Sequence, residues 1–186
     1  VHFFYRENFE EEVVRAVGQA AKADMIAHRT KRTIDAKHDD DPVFYDKFSK
    51  ILEKVIEDYR LMRITDAQYF LSAKNIMDAV RDHKDSDIPD ILQDKDVAKA
   101  FYGVVHEASH QKGVDGNASA KIALDIDKII NHNLVVDWHL KTDIQNKMLN
   151  EIEDYLADET SLGLSYDEMD LVMEKLINIA KRRYAQ

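Results

Sequence analysis

The pattern in this sequence closest to a catalytic motif is a pair of histidines around a glutamate. His106, Glu107 and His110 fit the spacing H-E-x-x-H. On a helix, imidazole rings four residues apart share one face, so the pair could bind Zn²⁺ while Glu107 activates a water molecule. The longer zinc-protease pattern would place a third histidine at position 116, which is Gly116 here. The metal-ligand set is therefore incomplete: the simpler interpretation is a helix end with two surface histidines, and a zinc-dependent hydrolase is the alternative.

Other motifs of enzyme chemistry are missing from the sequence. It contains no phosphate-binding loop, no G-x-G-x-x-G and no G-x-S-x-G, and it has no cysteine. We therefore predict no catalytic residue and no cofactor site in this chain. The absence of cysteine also excludes a disulfide scaffold and suits a reducing cytoplasm.

Aromatic and basic residues offer candidates for contact with a partner. Trp138 is the only tryptophan, and a single tryptophan is either part of the core or an interface anchor. Two dense basic clusters stand out, one at residues 28–32 and one at residues 181–183. The cluster at 181–183 suits a helix C-terminus, where the helix dipole favours cations. The candidates for partner or DNA contact are Trp138, Tyr155, Arg29, Lys31, Arg32, Lys181, Arg182 and Arg183.

Composition limits both the fold and the partners. The chain has 186 residues with a net charge of -10, only 5 Gly and 2 Pro. So few turn-forming residues exclude a sandwich or barrel of many short strands. The net negative charge argues against free-standing DNA binding, because the surface repels a phosphate backbone on average. No apolar run is long enough to cross a membrane, and the start at Val1 suggests a piece of a longer protein.

Hydrophobic residues recur with the period of a helix along the whole chain. The first predicted helix carries Val13, Val14 and Val17, and the polar residues 28–42 are expected to link it to the next. Capping boxes are predicted at three helix starts, with the pairs Thr65 and Gln68, Thr142 and Gln145, and Ser165 and Glu168. The fold class is therefore all-α, an irregular bundle of about seven helices with possibly two helical subregions. Residues 113–117 (GVDGN) hold two of the five glycines, which predicts a boundary between a region 1–112 and a C-terminal subdomain 118–186.

Residues 133–156 (NLVVDWHLKTDIQNKMLNEIEDYL) resemble a known family. The pattern D-W-x-x-x-x-D-x-x-x-K-M, followed by a long amphipathic helix, is similar to the C-terminal region of the R (motor and nuclease) subunit of type I restriction enzymes. Tyr59-Arg60 before a helix and the segment Ala100-Phe101-Tyr102 are similar to neighbouring elements of that family in the same order. The resemblance covers about residues 44–184.

The resemblance implies a function in a larger machine. Such R subunits carry a nuclease domain and two ATPase domains ahead of their helical C-terminal region, and they use ATP and Mg²⁺. The full enzyme translocates and cleaves foreign DNA together with methyltransferase (M) and specificity (S) subunits, and double-stranded DNA is reached through that complex. This chain would then follow the motor domains, hold no catalytic residue, and dock the motor on the methyltransferase core through residues 118–186. A free-standing helical adaptor is the remaining alternative.

Overall fold

A computed structural model describes residues 18–160 and 162–185, and in this part of the chain it contains α-helices and no strand. The all-α prediction is confirmed. The seven helices of the described residues are α1 Gln19–Lys37, α2 Pro42–Arg60, α3 Asp66–Asp82, α4 Asp96–Ser109, α5 Gly116–Asn133, α6 Thr142–Asp154 and α7 Tyr166–Tyr184. Short 3₁₀ segments cover His38–Asp40, Asp90–Leu92, His110–Lys112 and Trp138–Leu140, and a π-helical turn covers Tyr155–Glu159.

The polar link predicted for residues 28–42 is wrong over residues 28–37, which belong to helix α1. The prediction for Val13, Val14 and Val17 lies outside the described residues, but residues 28–37 are helical. Thr30 and Thr33 are buried, and their hydroxyls donate to the backbone carbonyls of Ile26 (2.8 Å) and Arg29 (3.2 Å). Threonine can therefore face a core while its hydroxyl is satisfied one turn back along its own helix.

Two of the three predicted capping boxes are formed. At the start of α3, the Gln68 amide donates to Thr65 Oγ1 (3.2 Å) and the Thr65 amide donates back to Gln68 (2.9 Å). Ser165 and Glu168 form the same pair at the start of α7. The prediction for Thr142 is wrong, because Thr142 is the first residue of α6 and Gln145 donates its side-chain amide to the carbonyl of His139 (2.7 Å) instead.

The chain divides into two compact units, and the described residues of the first are 18–38 and 44–85. Its core begins where α1 meets α3 through Ala23 and Ala73, both completely buried. Alanine leaves room for two helix backbones to come close together, so a small contact surface is packed tightly. Tyr69 lies in the same core; its hydroxyl donates to Asp24 (2.9 Å) and its ring stacks on Tyr59 with centroids 4.3 Å apart.

The far end of the first unit is aromatic. Phe44, Tyr45 and Phe48 of α2 are buried, and His83 follows α3 in a left-handed conformation (φ 48°). The His83 ring lies edge-on to Phe44 at 4.4 Å and parallel to Tyr45 at 6.0 Å. The first unit therefore combines a tight alanine contact at one place with stacked aromatic rings at another.

The second unit contains residues 39–43 and 86–185, among which 161 is not described. Helix α4 runs through its centre, with Phe101 completely buried. The rest of its core is chiefly aliphatic and comes from α5, α6 and α7: Ile126, Ile130, Met148, Ile152, Leu176 and Ile179. Gly103 lets α4 pass close to residue 43, because a Cβ at this position would lie 3.0 Å from Val43 Cβ.

The boundary between these units falls near residue 85, and residues on both sides of 113–117 belong to the second unit. Buried residues of α4 and α5 share one core across that glycine-rich segment. The division into a region 1–112 and a C-terminal subdomain 118–186 stays a prediction. Across the described residues, none of the helices is both long and apolar enough to span a membrane.

Candidate partner-binding surface

The H-E-x-x-H residues lie at the end of α4, and one polar side-chain atom of each has a partner within the second unit. His106 is half-buried, with Nδ1 3.2 Å from Ser119 Oγ and its ring stacked on Tyr102 at 5.2 Å. His110 is exposed, and its Nδ1 lies 3.1 Å from the carbonyl oxygen of His106. Glu107 Oε2 accepts from Lys175 Nζ at 3.2 Å.

This arrangement adds no further ligand to the histidine pair. Within residues 18–160 and 162–185, no three His, Asp or Glu side chains are grouped so that they could hold a metal ion. That the purified chain binds no zinc at His106 and His110 stays a prediction. Burial lowers the pKa of His106, and the nearby His110 lowers it further, against the smaller opposing effect of Asp115 and Asp87. His106 therefore suits a neutral ring between α4 and α5.

Trp138 lies in the core. Only 2 % of the residue is exposed, and its indole Nε1 donates to the backbone carbonyl of Tyr184 at 3.2 Å. That bond satisfies an acceptor at the end of α7 that the helix itself leaves open. The indole supports the fold here, and a partner could reach only the side chains beside it.

The residues beside Trp138 form an exposed apolar group that the sequence did not single out. Val135, Val136 and Leu140 are 45 %, 79 % and 74 % exposed. We call residues 134–141 the tryptophan loop. Its residue pattern resembles a short strand, but the chain turns at Asp137, whose backbone is left-handed (φ 56°).

Backbone bonds hold the tryptophan loop in place. The Trp138 amide donates to the Val135 carbonyl and the Lys141 amide donates to the Trp138 carbonyl, each at 3.0 Å. Gln145 of α6 donates to the carbonyl of His139. The exposed apolar side chains are thus presented on a fixed segment, which lowers the entropy lost when a partner binds.

The basic residues at the end of α7 are partly neutralised within the second unit. Arg182 Nε donates to Asp40 Oδ1 at 2.9 Å, and Arg183 Nη1 donates to the Asp40 carbonyl at 3.5 Å. Lys181 is half-buried. This turn is therefore poorer in available positive charge than its sequence indicates.

Tyr155 and the basic cluster of α1 are engaged too. The Tyr155 hydroxyl donates to Asp125 Oδ2 at 3.0 Å. The pKa of the Asp125 carboxyl is lowered chiefly by its hydrogen bond with Lys128 and further by this bond from Tyr155. In the first unit, Lys31 Nζ lies 3.4 Å from Glu53 Oε1, and Arg29 is half-buried while Arg32 is exposed. The predicted contact residues are therefore divided between the two units, with the basic cluster of α1 in the first and the other candidates in the second.

A shallow groove of about 220 Å³ lies between α4 and α7 in the second unit. Val104, Ala108, Leu171 and Val172 form its apolar lining, and the pair of Glu107 and Lys175 lines it as well. Leu171 is 59 % exposed. This leucine is a useful counterpart to Leu140, because both are exposed and both belong to the second unit.

The described residues thus form an all-α helical module in which three of the exposed apolar side chains, Val135, Val136 and Leu140, lie on one hydrogen-bonded loop. The chain matches, over residues 5–186, the family model described as "Type I restriction enzyme HindI endonuclease subunit-like, C-terminal". It belongs to this family, and the resemblance found in the sequence is confirmed. A search of curated proteins and a search of solved structures give no match.

Proposed function

We propose that this chain is the assembly module of a type I restriction enzyme R subunit, and that it docks the motor on the methyltransferase core. The observation that carries the proposal is the tryptophan loop, where Val135, Val136 and Leu140 are exposed within six residues. Single exposed apolar residues are ordinary on a protein surface, whereas a cluster on a fixed segment is typical of a binding site. Family membership supplies the larger complex to which such a site would belong.

In this proposal the chain contributes binding, and other parts of the R subunit contribute chemistry. ATP and Mg²⁺ would be used by the motor and nuclease domains, and the M and S subunits would be the direct partners, with double-stranded DNA held by the complete enzyme. The complex would work in the cytoplasm. We expect the isolated chain not to hydrolyse ATP, since its sequence has no phosphate-binding loop, and not to cut DNA, since the nuclease domain would lie ahead of this region.

The direct test is competition. The purified chain is titrated into a mixture of the full-length R subunit and a labelled core of M and S subunits, and bound R subunit is measured by size-exclusion chromatography. We expect the chain to bind the core and to displace the R subunit. The proposal is wrong if the R subunit binds the core and an excess of the folded chain neither binds nor competes.

A further inference from the structure

The end of α5 and the end of α7 meet at one place on the second unit. The Tyr184 hydroxyl donates to Asp127 Oδ1 (2.5 Å) and accepts from Asn131 Nδ2 (3.1 Å), both on α5. The Tyr184 carbonyl accepts from the Trp138 indole. Two of these hydrogen bonds join the last turn of α7 to α5, and the third joins it to the tryptophan loop.

These two joined segments carry both apolar and basic side chains. Leu140 is followed by the exposed Lys141, and Lys181 lies three residues before Tyr184, hence on the same face of α7. Arg183 donates to a neutral carbonyl of Asp40, so this bond does not cancel its charge. On a chain with net charge -10, Asp137 is the only acidic residue of the tryptophan loop.

We propose that the tryptophan loop and the last turn of α7 form one docking surface for an acidic amphipathic helix of a protein partner. The proposal rests on the function proposed above and specifies the chemistry of the segment that docks there. Apolar residues of that helix would cover Val136 and Leu140, and its carboxylates would face Lys141 and Lys181. Such complementarity of charge selects the partner and speeds its encounter.

A nucleic acid fits this surface less well than a protein does. A phosphate backbone binds exposed cations, whereas Arg182 here is held by Asp40 at 2.9 Å. Val136 and Leu140 are 79 % and 74 % exposed, and apolar side chains such as these form the centre of protein interfaces. Binding of duplex DNA at this surface is thus an outcome that would contradict the proposal.

The test uses the whole chain in two forms. One carries Val136→Ala and Leu140→Ala together, which removes the apolar centre, and the matched control carries Leu171→Ala. Circular dichroism and thermal melting establish that both fold as the unchanged chain does. Because the altered side chains are exposed, we expect melting temperatures close to that of the unchanged chain.

Two probes separate this proposal from the function on which it rests. The first is the methyltransferase core, and the second is a synthetic acidic amphipathic helix of Leu and Glu, compared with a Leu and Lys version and a DNA duplex. For the core and the acidic helix, we expect the double variant to bind about tenfold or more weakly, and Leu171→Ala to bind as the unchanged chain does. Lys141→Glu with Lys181→Glu should lower affinity at low salt most strongly.

The outcomes are distinct. If the core binds all variants equally, docking on the core stands and this surface is wrong. If the core does not bind but the acidic helix binds through Val136 and Leu140, the surface stands and the partner is wrong. Equal binding of the acidic and basic helices, preference for the DNA duplex, or no binding of the acidic helix overturns the proposal.

Discussion

The cores of the two units differ in the side chains that they add to buried alanines. The first brings α1 and α3 together on alanines and adds a group of packed aromatic rings, whereas the second combines buried alanines with a larger aliphatic core from four helices and Phe101. A close alanine contact has no room to spare, so it is sensitive to added volume. A broad aliphatic core is stabilised by the side chains that fill it, so it is sensitive to substitutions that remove buried volume.

The largest expected effect is therefore a cavity in the second unit. Phe101→Ala should lower the free energy of unfolding by about 3–5 kcal/mol, because a completely buried ring is removed and its neighbours close the space only in part. Denaturant unfolding measures the change. Phe70→Ala in the first unit, where the ring is half-buried, is the control, and an equal loss there would contradict the contrast.

The complementary change adds volume to the first unit. Ala73→Leu should cost about 1–3 kcal/mol, because Ala73 is completely buried. Ala67→Leu on the same helix is exposed and should leave stability nearly unchanged. Amide hydrogen exchange in residues 18–85 would report the local loss. A tolerated leucine at position 73 would mean that α1 and α3 are not tightly packed.

Each unit has a tyrosine that donates to an aspartate of a neighbouring helix, and these pairs allow a closer comparison. Burial raises the pKa of Tyr69 above its ordinary value and that of Tyr184 to about 12, and both hydroxyls stay protonated as donors at neutral pH. Tyr69→Phe and Tyr184→Phe should each cost about 1 kcal/mol. Tyr166→Phe, at an exposed position, is the control and should cost nothing measurable by thermal unfolding.

The smallest expected effect is on pH dependence and belongs to the second unit. The folded state holds the pKa of His106 below its ordinary value, so the unfolded chain binds the proton first. Stability from this residue is complete above about pH 6.5 and falls as the pH drops toward the lowered pKa. His106→Gln should flatten the slope of unfolding free energy between about pH 7 and 5. An unchanged slope would show that His106 contributes nothing to it.

Structural features that depend only on residues close together in the chain can be predicted from the sequence. The capping boxes at Thr65 and Ser165 follow from a spacing of three residues, and the structure forms both. The helical span over residues 28–37 was missed because polar Thr30 and Thr33 face the core. Pattern alone assigns threonine to the surface.

The candidate surface was beyond the reach of local reasoning. Trp138 is buried because it meets Tyr184, 46 residues further along the chain, and no periodicity indicates that contact. Val136 is 79 % exposed beside a left-handed turn at Asp137, and the strand-like run of residues does not predict that turn. The resemblance to the family rests on the segment that contains these residues, and the structure shows which of its side chains are exposed.

The bond between Asp40 and Arg182 joins residues 142 positions apart. During synthesis from the N-terminus, the described helices of the first unit are complete once residue 85 has emerged, while the second unit waits for α7. Contacts so distant along the chain form slowly, because a long loop must close before they are rewarded. We expect the described helices of the first unit to form before Arg182 has been synthesised and can bind Asp40. The surface proposed for docking should therefore be among the last parts of the second unit to form.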